Sequence, residues 1–246
     1  MQFSCSDEFK FEKDDVGLAL HFGGIGAHIG FVYQGGDKKF KFVHLAFHKR
    51  VVLEPYPLDA PKRSIFAKLP FSKSSLYSLK SALRLIGARS SHPSGIIIPY
   101  GVNIKAAKGS FNSKGLYTLP KGSDGLTCAT FVSEICRGVG LPLLDEDSWI
   151  ARTEDQQWIT QICSMLEDPR SGADIAHIAQ VKAGFSGLRI RPEEVASVAN
   201  LWKSKPIIFN DAAANGIEVL KKLTDCCNKT DPALNLSNEA ASPDSM

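Results

Sequence analysis

The chain lacks most of the features that would assign it to a specialised class. No window approaches the 18 or so consecutive apolar residues of a membrane span, so no integral membrane segment is expected. The opening stretch Met-Gln-Phe-Ser-Cys-Ser-Asp-Glu-Phe-Lys has no apolar centre of the signal-peptide kind. A cytoplasmic location is therefore the default expectation, with export by a route without a cleaved signal left open. Charge is nearly balanced: the net +3 comes from Lys and Arg scattered along the chain, which argues against a nucleic-acid partner. The six cysteines (5, 128, 136, 163, 226 and 227) form no CxxC pair, so no metal is expected, and a chain of 246 residues needs no disulfide to build a core. There is no internal repeat and no interdomain linker. Gly23, Gly24 and Gly26 lead into a strand rather than a helix and miss the dinucleotide fingerprint, so no nucleotide cofactor is expected either.

What is present is a turn, a helix start and a short amphipathic helix at Ser123-Asp-Gly-Leu-Thr-Cys128-Ala-Thr-Phe-Val-Ser-Glu-Ile-Cys136-Arg-Gly138. Phe131, Val132, Ile135 and Val139 recur at three- and four-residue spacing, and Ser123, Asp124 or Thr127 can cap the start. Cys128 falls in the first turn, where unpaired N–H groups and the helix dipole favour a thiolate of lowered pKa. The same position also continues the apolar stripe, as an inert core cysteine would.

Upstream, residues 16–33 read as strand, glycine bend, strand, and Phe40–His48 as a return strand after the turn Gln34–Lys39. A three-residue loop centred on Gly36 would set His28 directly opposite His44; a loop two residues further along would set it opposite His48. Either register lays two histidines side by side. Residues 54–73, rich in proline, read as surface loop. A helix from Ser74 or Ser75 to about Ile86, ended by Gly87, a short buried strand Ile96–Tyr100 and a mobile loop 101–125 follow. Residues 145–225 read as a helical extension packed on the same core, giving one domain over 1–225, and 228–246 as a disordered tail.

These residues resemble a family. His28-Ile-Gly-Phe-Val-Tyr, a glycine turn, Phe-Val-His44-Leu and Thr127-Cys128-Ala-Thr-Phe-Val are similar to the circularly permuted, NlpC-type branch of the papain-like thiol hydrolases. That branch includes lecithin:retinol acyltransferase, its phospholipase relatives and permuted bacterial and viral enzymes. The resemblance covers about a fifth of the chain. It implies an α+β fold with an antiparallel sheet packed on the cysteine helix. It also implies Cys128 as nucleophile, His28 as general base and His44 as orienting residue, with His48 the alternative. Thr127 stands where the acyltransferase-like members tend to have asparagine, and no apolar C-terminal anchor is present. The expected activity is therefore hydrolysis of an amide or isopeptide bond in a peptide, peptidoglycan stem or acylated protein, through an acyl-enzyme and without a cofactor. Acyl transfer or lipid deacylation by the same triad is the alternative, and a non-catalytic binding module on the same fold is a rival of another class. The oxyanion hole would combine the Cys128 N–H with an upstream donor, for which Tyr117 is the expectation. His21 and His92 read as fillers, and His177 has no evident partner.

Overall fold

Alternation of side chains along three neighbouring strands decides the architecture. The computed structural model describes residues 2–58, 64–90, 95–106 and 109–228. The strands are β1 (Ser4–Cys5), β2 (Val16–Gly23), β3 (Gly26–Gln34), β4 (Phe40–Phe47), β5 (Arg50–Pro55) and β6 (Ser64–Lys68). They form one antiparallel sheet in the order β1-β6-β2-β3-β4-β5. A second, two-stranded sheet joins β7 (Ser110–Phe111) to β8 (Tyr117–Thr118). The class is α+β.

Leu18, Leu20, Ile29, Phe31, Val43 and Leu45 line one face of the large sheet and merge with the main core. That core is completed by α1 (Lys73–Ser90), α2 (Cys128–Gly138), α5 (Pro192–Ala196) and α7 (Phe209–Asn228). Phe31 and Phe131 are fully buried there, each worth roughly 1.5–3 kcal/mol of apolar transfer. The other face carries Ala19, Val32, Phe42 and Phe66 under Tyr56 and the aromatic rings of Phe9, Phe11 and Phe40. A smaller cluster holds α3 (Asp155–Glu167) against α4 (Ile175–Gly184) and buries Trp158, Ile162, Val181 and Tyr100. The short α6 (Val198–Leu201) follows α5 directly. Core residues run from Phe3 to Cys226, so the helical part shares the core of the sheet.

Several expectations are corrected. The turn between β3 and β4 runs from Gly35 to Lys39, closed by the Gly35 N–H to the Lys39 carbonyl at 2.8 Å, and the ladder pairs Phe31 with Val43. His28 therefore faces neither His44 nor His48; in this register His44 is level with Gly30. The return strand stops at Phe47, because Lys49 takes φ 59° and turns the chain into β5, which leaves His48 in the turn. Residues 54–73 are not a surface loop throughout: Ser64-Ile-Phe-Ala-Lys68 is an inner strand, paired with β2 on one side and β1 on the other. Gly87 does not end α1; a side chain there would lie 2.7 Å from the Tyr33 hydroxyl, so glycine serves close packing. Ile96–Tyr100 is extended but bridges only at Tyr100, to Leu126. The 101–125 stretch holds the β7–β8 hairpin and a buried Asp124, which accepts the Val102 N–H at 2.8 Å. Cys5 and Cys226 form a disulfide that ties the edge strand β1 to α7, although a chain of this length was expected to need none. No helix among the described residues is long and apolar enough to cross a membrane. His92, the 229–246 part of the expected tail and the loop residues 59–63 lie outside the described residues.

Candidate active site

Cys128 is the first residue of α2, and Thr127 is the cap that places it there. The Thr127 hydroxyl accepts the Thr130 N–H at 3.1 Å, and the Thr130 hydroxyl accepts the Thr127 N–H at 2.8 Å, a reciprocal capping box. Phe131, Val132 and Ile135 anchor the helix in the main core, and its first turn meets β3 at Ile29. The thiol is only 6% exposed. Burial pushes its pKa up to about 11, against the lowering expected from the helix start alone. Hydrogen bonding from the Ile29 backbone, the Arg189 charge and the Ala129 backbone work in the opposite direction but are outweighed, and Glu193 adds to the rise. The Ile29 contact brings the sulfur against the core-facing side of β3, at the residue next in sequence to His28.

The histidines come from three adjacent strands. His21 on β2 pairs directly with His28 on β3, and their ring centroids are 5.1 Å apart. His28 Nε2 lies 2.6 Å from His44 Nδ1. The two rings meet diagonally at 4.8 Å, and Phe42 stacks on His44 at 4.6 Å. Gly30 makes this approach feasible: a Cβ there would sit 2.7 Å from the His44 Cβ and 2.6 Å from the Val43 carbonyl. His44 Nε2 in turn approaches Glu54 Oε1 at 3.1 Å, within ion-pair range though short of hydrogen-bond alignment. Glu54 reaches it from β5, where it pairs with Phe42 and so shares the face of His44.

This chain of groups restricts the tautomers. A proton on His44 Nε2, facing the carboxylate, leaves His44 Nδ1 as acceptor, so His28 donates from Nε2 and keeps Nδ1 as its basic nitrogen. His28, His44, His21, Cys128 and Thr127 all line one cavity of about 250 Å³. Trp158, Ile162 and Met165 of α3 give it an apolar wall, and Tyr100 and Arg189 complete the rim. Burial first, and Cys128 second, raise the Tyr100 pKa, so its hydroxyl stays protonated.

His48 is elsewhere. Its Nδ1 accepts the Tyr100 N–H at 3.2 Å, and its ring lies 4.6 Å from that of His177. Burial, then the His177 and Lys49 charges, depress its pKa to about 4. His177 does have a partner: its Nε2 is 3.0 Å from the Tyr100 carbonyl, so the two histidines clasp one backbone unit. Tyr117 does not line the cavity; its hydroxyl accepts the Gly109 N–H at 3.1 Å within the β7–β8 hairpin.

Sequence reasoning missed Glu54, Tyr100, Arg189 and the placement of His21. The alternation of β2 carries a signal for His21, which shares the face of Ala19. Arg189 carries no such signal, because its place depends on Asp155 far away in the chain. Among the described residues no group of three or more His, Cys, Asp or Glu side chains could hold a metal ion. Comparison of the chain with known protein families, with curated proteins and with solved structures finds no match.

Proposed function

We propose that this chain is a cysteine-dependent acyl hydrolase with a permuted papain-like arrangement of its motifs. The observation that carries the reading is that Cys128, at the first position of a capped helix, lines the same cavity as the His28–His44 pair. With a resting thiol held neutral by burial, His28 acts as general base at the moment of attack rather than in a preformed ion pair. The proton passes from Sγ to His28 Nδ1 as sulfur adds to the substrate carbonyl. The tetrahedral oxyanion takes donors from the Cys128 N–H and the Tyr100 hydroxyl. Collapse breaks the C–N or C–O bond, and the leaving amine or alcohol receives the proton from His28. Water, deprotonated by the same imidazole, then cleaves the thioester and returns the thiol. An amide or isopeptide of a peptide, peptidoglycan stem or acylated protein is the favoured substrate. Acyl transfer differs only in replacing that water with an amine or alcohol.

The test is acyl trapping. Incubation with p-nitrophenyl esters should give a burst of nitrophenol and a mass increment on Cys128, lost in Cys128→Ala and reduced at least tenfold in His28→Ala. Adducts spread evenly over Cys128, Cys136, Cys163 and Cys227 would defeat the proposal. Release of the acyl group to an added amine faster than to water would select the transferase form.

A further inference from the structure

Arg189 stands at the rim of the same cavity and is held with unusual completeness. Its guanidinium lies over the Trp158 ring, 3.9 Å from the centroid, and its Nη1 donates to Asp155 Oδ1 at 3.1 Å. Its carbonyl accepts the Arg152 Nη2 at 2.7 Å, so backbone and side chain are both fixed. Asp155 is fully buried and also takes Arg152 Nε at 2.9 Å and Arg191 Nη2 at 3.0 Å. Glu194 holds Arg152 from the other side and accepts the Arg191 N–H at 2.7 Å. Three guanidiniums thus surround two buried carboxylates, and among the described residues the more exposed Glu154 pairs with just one of the three, Arg191, at 3.5 Å.

One edge of Arg189 is unused. Among the described residues its Nε and Nη2 hold no hydrogen bond, while Nη1 is committed to Asp155. Nε and Nη2 are the pair that grips a carboxylate with two parallel hydrogen bonds. A guanidinium stacked on an indole and tethered at Nη1 has already lost the side-chain entropy that such a grip costs. Trp158, Ile162 and Met165 give the cavity an apolar wall beside this edge. We infer that Arg189 anchors a carboxylate of the substrate, so that the bond presented to Cys128 belongs to an acyl group that itself carries an acid a few bonds away. This deepens the hydrolase reading and rests on it for the identity of the scissile bond, but not for the binding.

The test reads binding, not turnover. The native protein is titrated with glutaramate, which carries one carboxylate and one amide, and with the neutral diamide glutaramide. The Arg189 Nε–H resonance is followed by ¹H–¹⁵N NMR. Glutaramate should bind at least about tenfold more tightly than glutaramide and shift that resonance, and Arg189→Lys should abolish the difference. Equal binding of acid and amide, or no shift at Arg189, overturns the proposal. Tighter binding of inorganic phosphate than of glutaramate also overturns it, in favour of a phosphate site. The acid–amide contrast in the native protein needs no variant, so a poorly folded Arg189→Lys does not spoil it. Glutaramate binding at Arg189 with no acyl trapping on Cys128 would retain the acid site and remove the hydrolase reading; trapping without acid selectivity would do the reverse.

Discussion

Glu54 and His44 approach at 3.1 Å across the β4–β5 ladder, and through that contact a carboxylate on the edge strand governs the ring that touches His28. Glu54→Gln keeps the shape but removes the charge that fixes the His44 tautomer. Under the proposed mechanism kcat should fall roughly 10- to 100-fold with little change in KM, since the carboxylate acts on the base and not on the substrate. Steady-state kinetics on an ester substrate check this; an unchanged kcat would detach Glu54 from the relay.

Alkylation of Cys128 should report a neutral resting thiol. With its pKa pushed up to about 11 by burial, the rate of reaction with iodoacetamide should climb about tenfold per pH unit between pH 7 and 10. A rate already level below pH 7 would reveal a preformed thiolate–imidazolium pair instead.

His48 should make the fold acid-sensitive. Its folded pKa of about 4 lies below the ordinary 6.5, so between those values the unfolded chain binds more protons. Stability is therefore complete above about pH 6.5 and is lost as pH falls toward 4. The groups facing it are His177, Lys49 and Asp174, and protonation on Nδ1 would also break its hydrogen bond from the Tyr100 N–H. In His48→Asn, whose side-chain oxygen can accept that N–H, thermal melts over pH 4–7 should show a flatter dependence than the native protein.

The Cys5–Cys226 bridge closes nearly the whole chain into a loop, with a sequence separation of 221 residues. Cys5→Ser should cost about 2–5 kcal/mol, mainly by freeing the unfolded state, and lower Tm by roughly 5–15 °C. Scanning calorimetry with and without reductant measures it; a Tm indifferent to reductant would show that the bridge adds nothing.

The strands that carry the histidines were legible because β2, β3 and β4 are long, apolar and punctuated by glycine. The α2 start was legible because cap, cysteine and stripe fall within nine residues. Register was not: a five-residue turn in place of a three-residue one moves His44 by two residues along its partner strand, from a place opposite His28 to one opposite Gly30, and the rings still meet only because Gly30 leaves room. Strand β6 was hidden because five residues after a proline-rich stretch give too little alternation to outweigh the turn signals. Glu54 and Arg189 were hidden for a related reason. Each acquires its role from a partner fixed by tertiary packing, His44 across a ladder and Asp155 across 34 residues. The thiol pKa was misjudged because the helix start was weighed without the core that closes over it.

Gly30 has a consequence for mutational drift. Any side chain at that position would have to displace the Val43 carbonyl, the Phe42 ring and the His44 Cβ at once, whereas Gly24 and Gly36 have nothing within 4 Å of where a Cβ would stand. In a library of random variants that retain the chemistry, codon 30 should stay fixed while codons 24 and 36 diversify. One hydrogen atom in place of a methyl is what lets two rings from different strands share a proton.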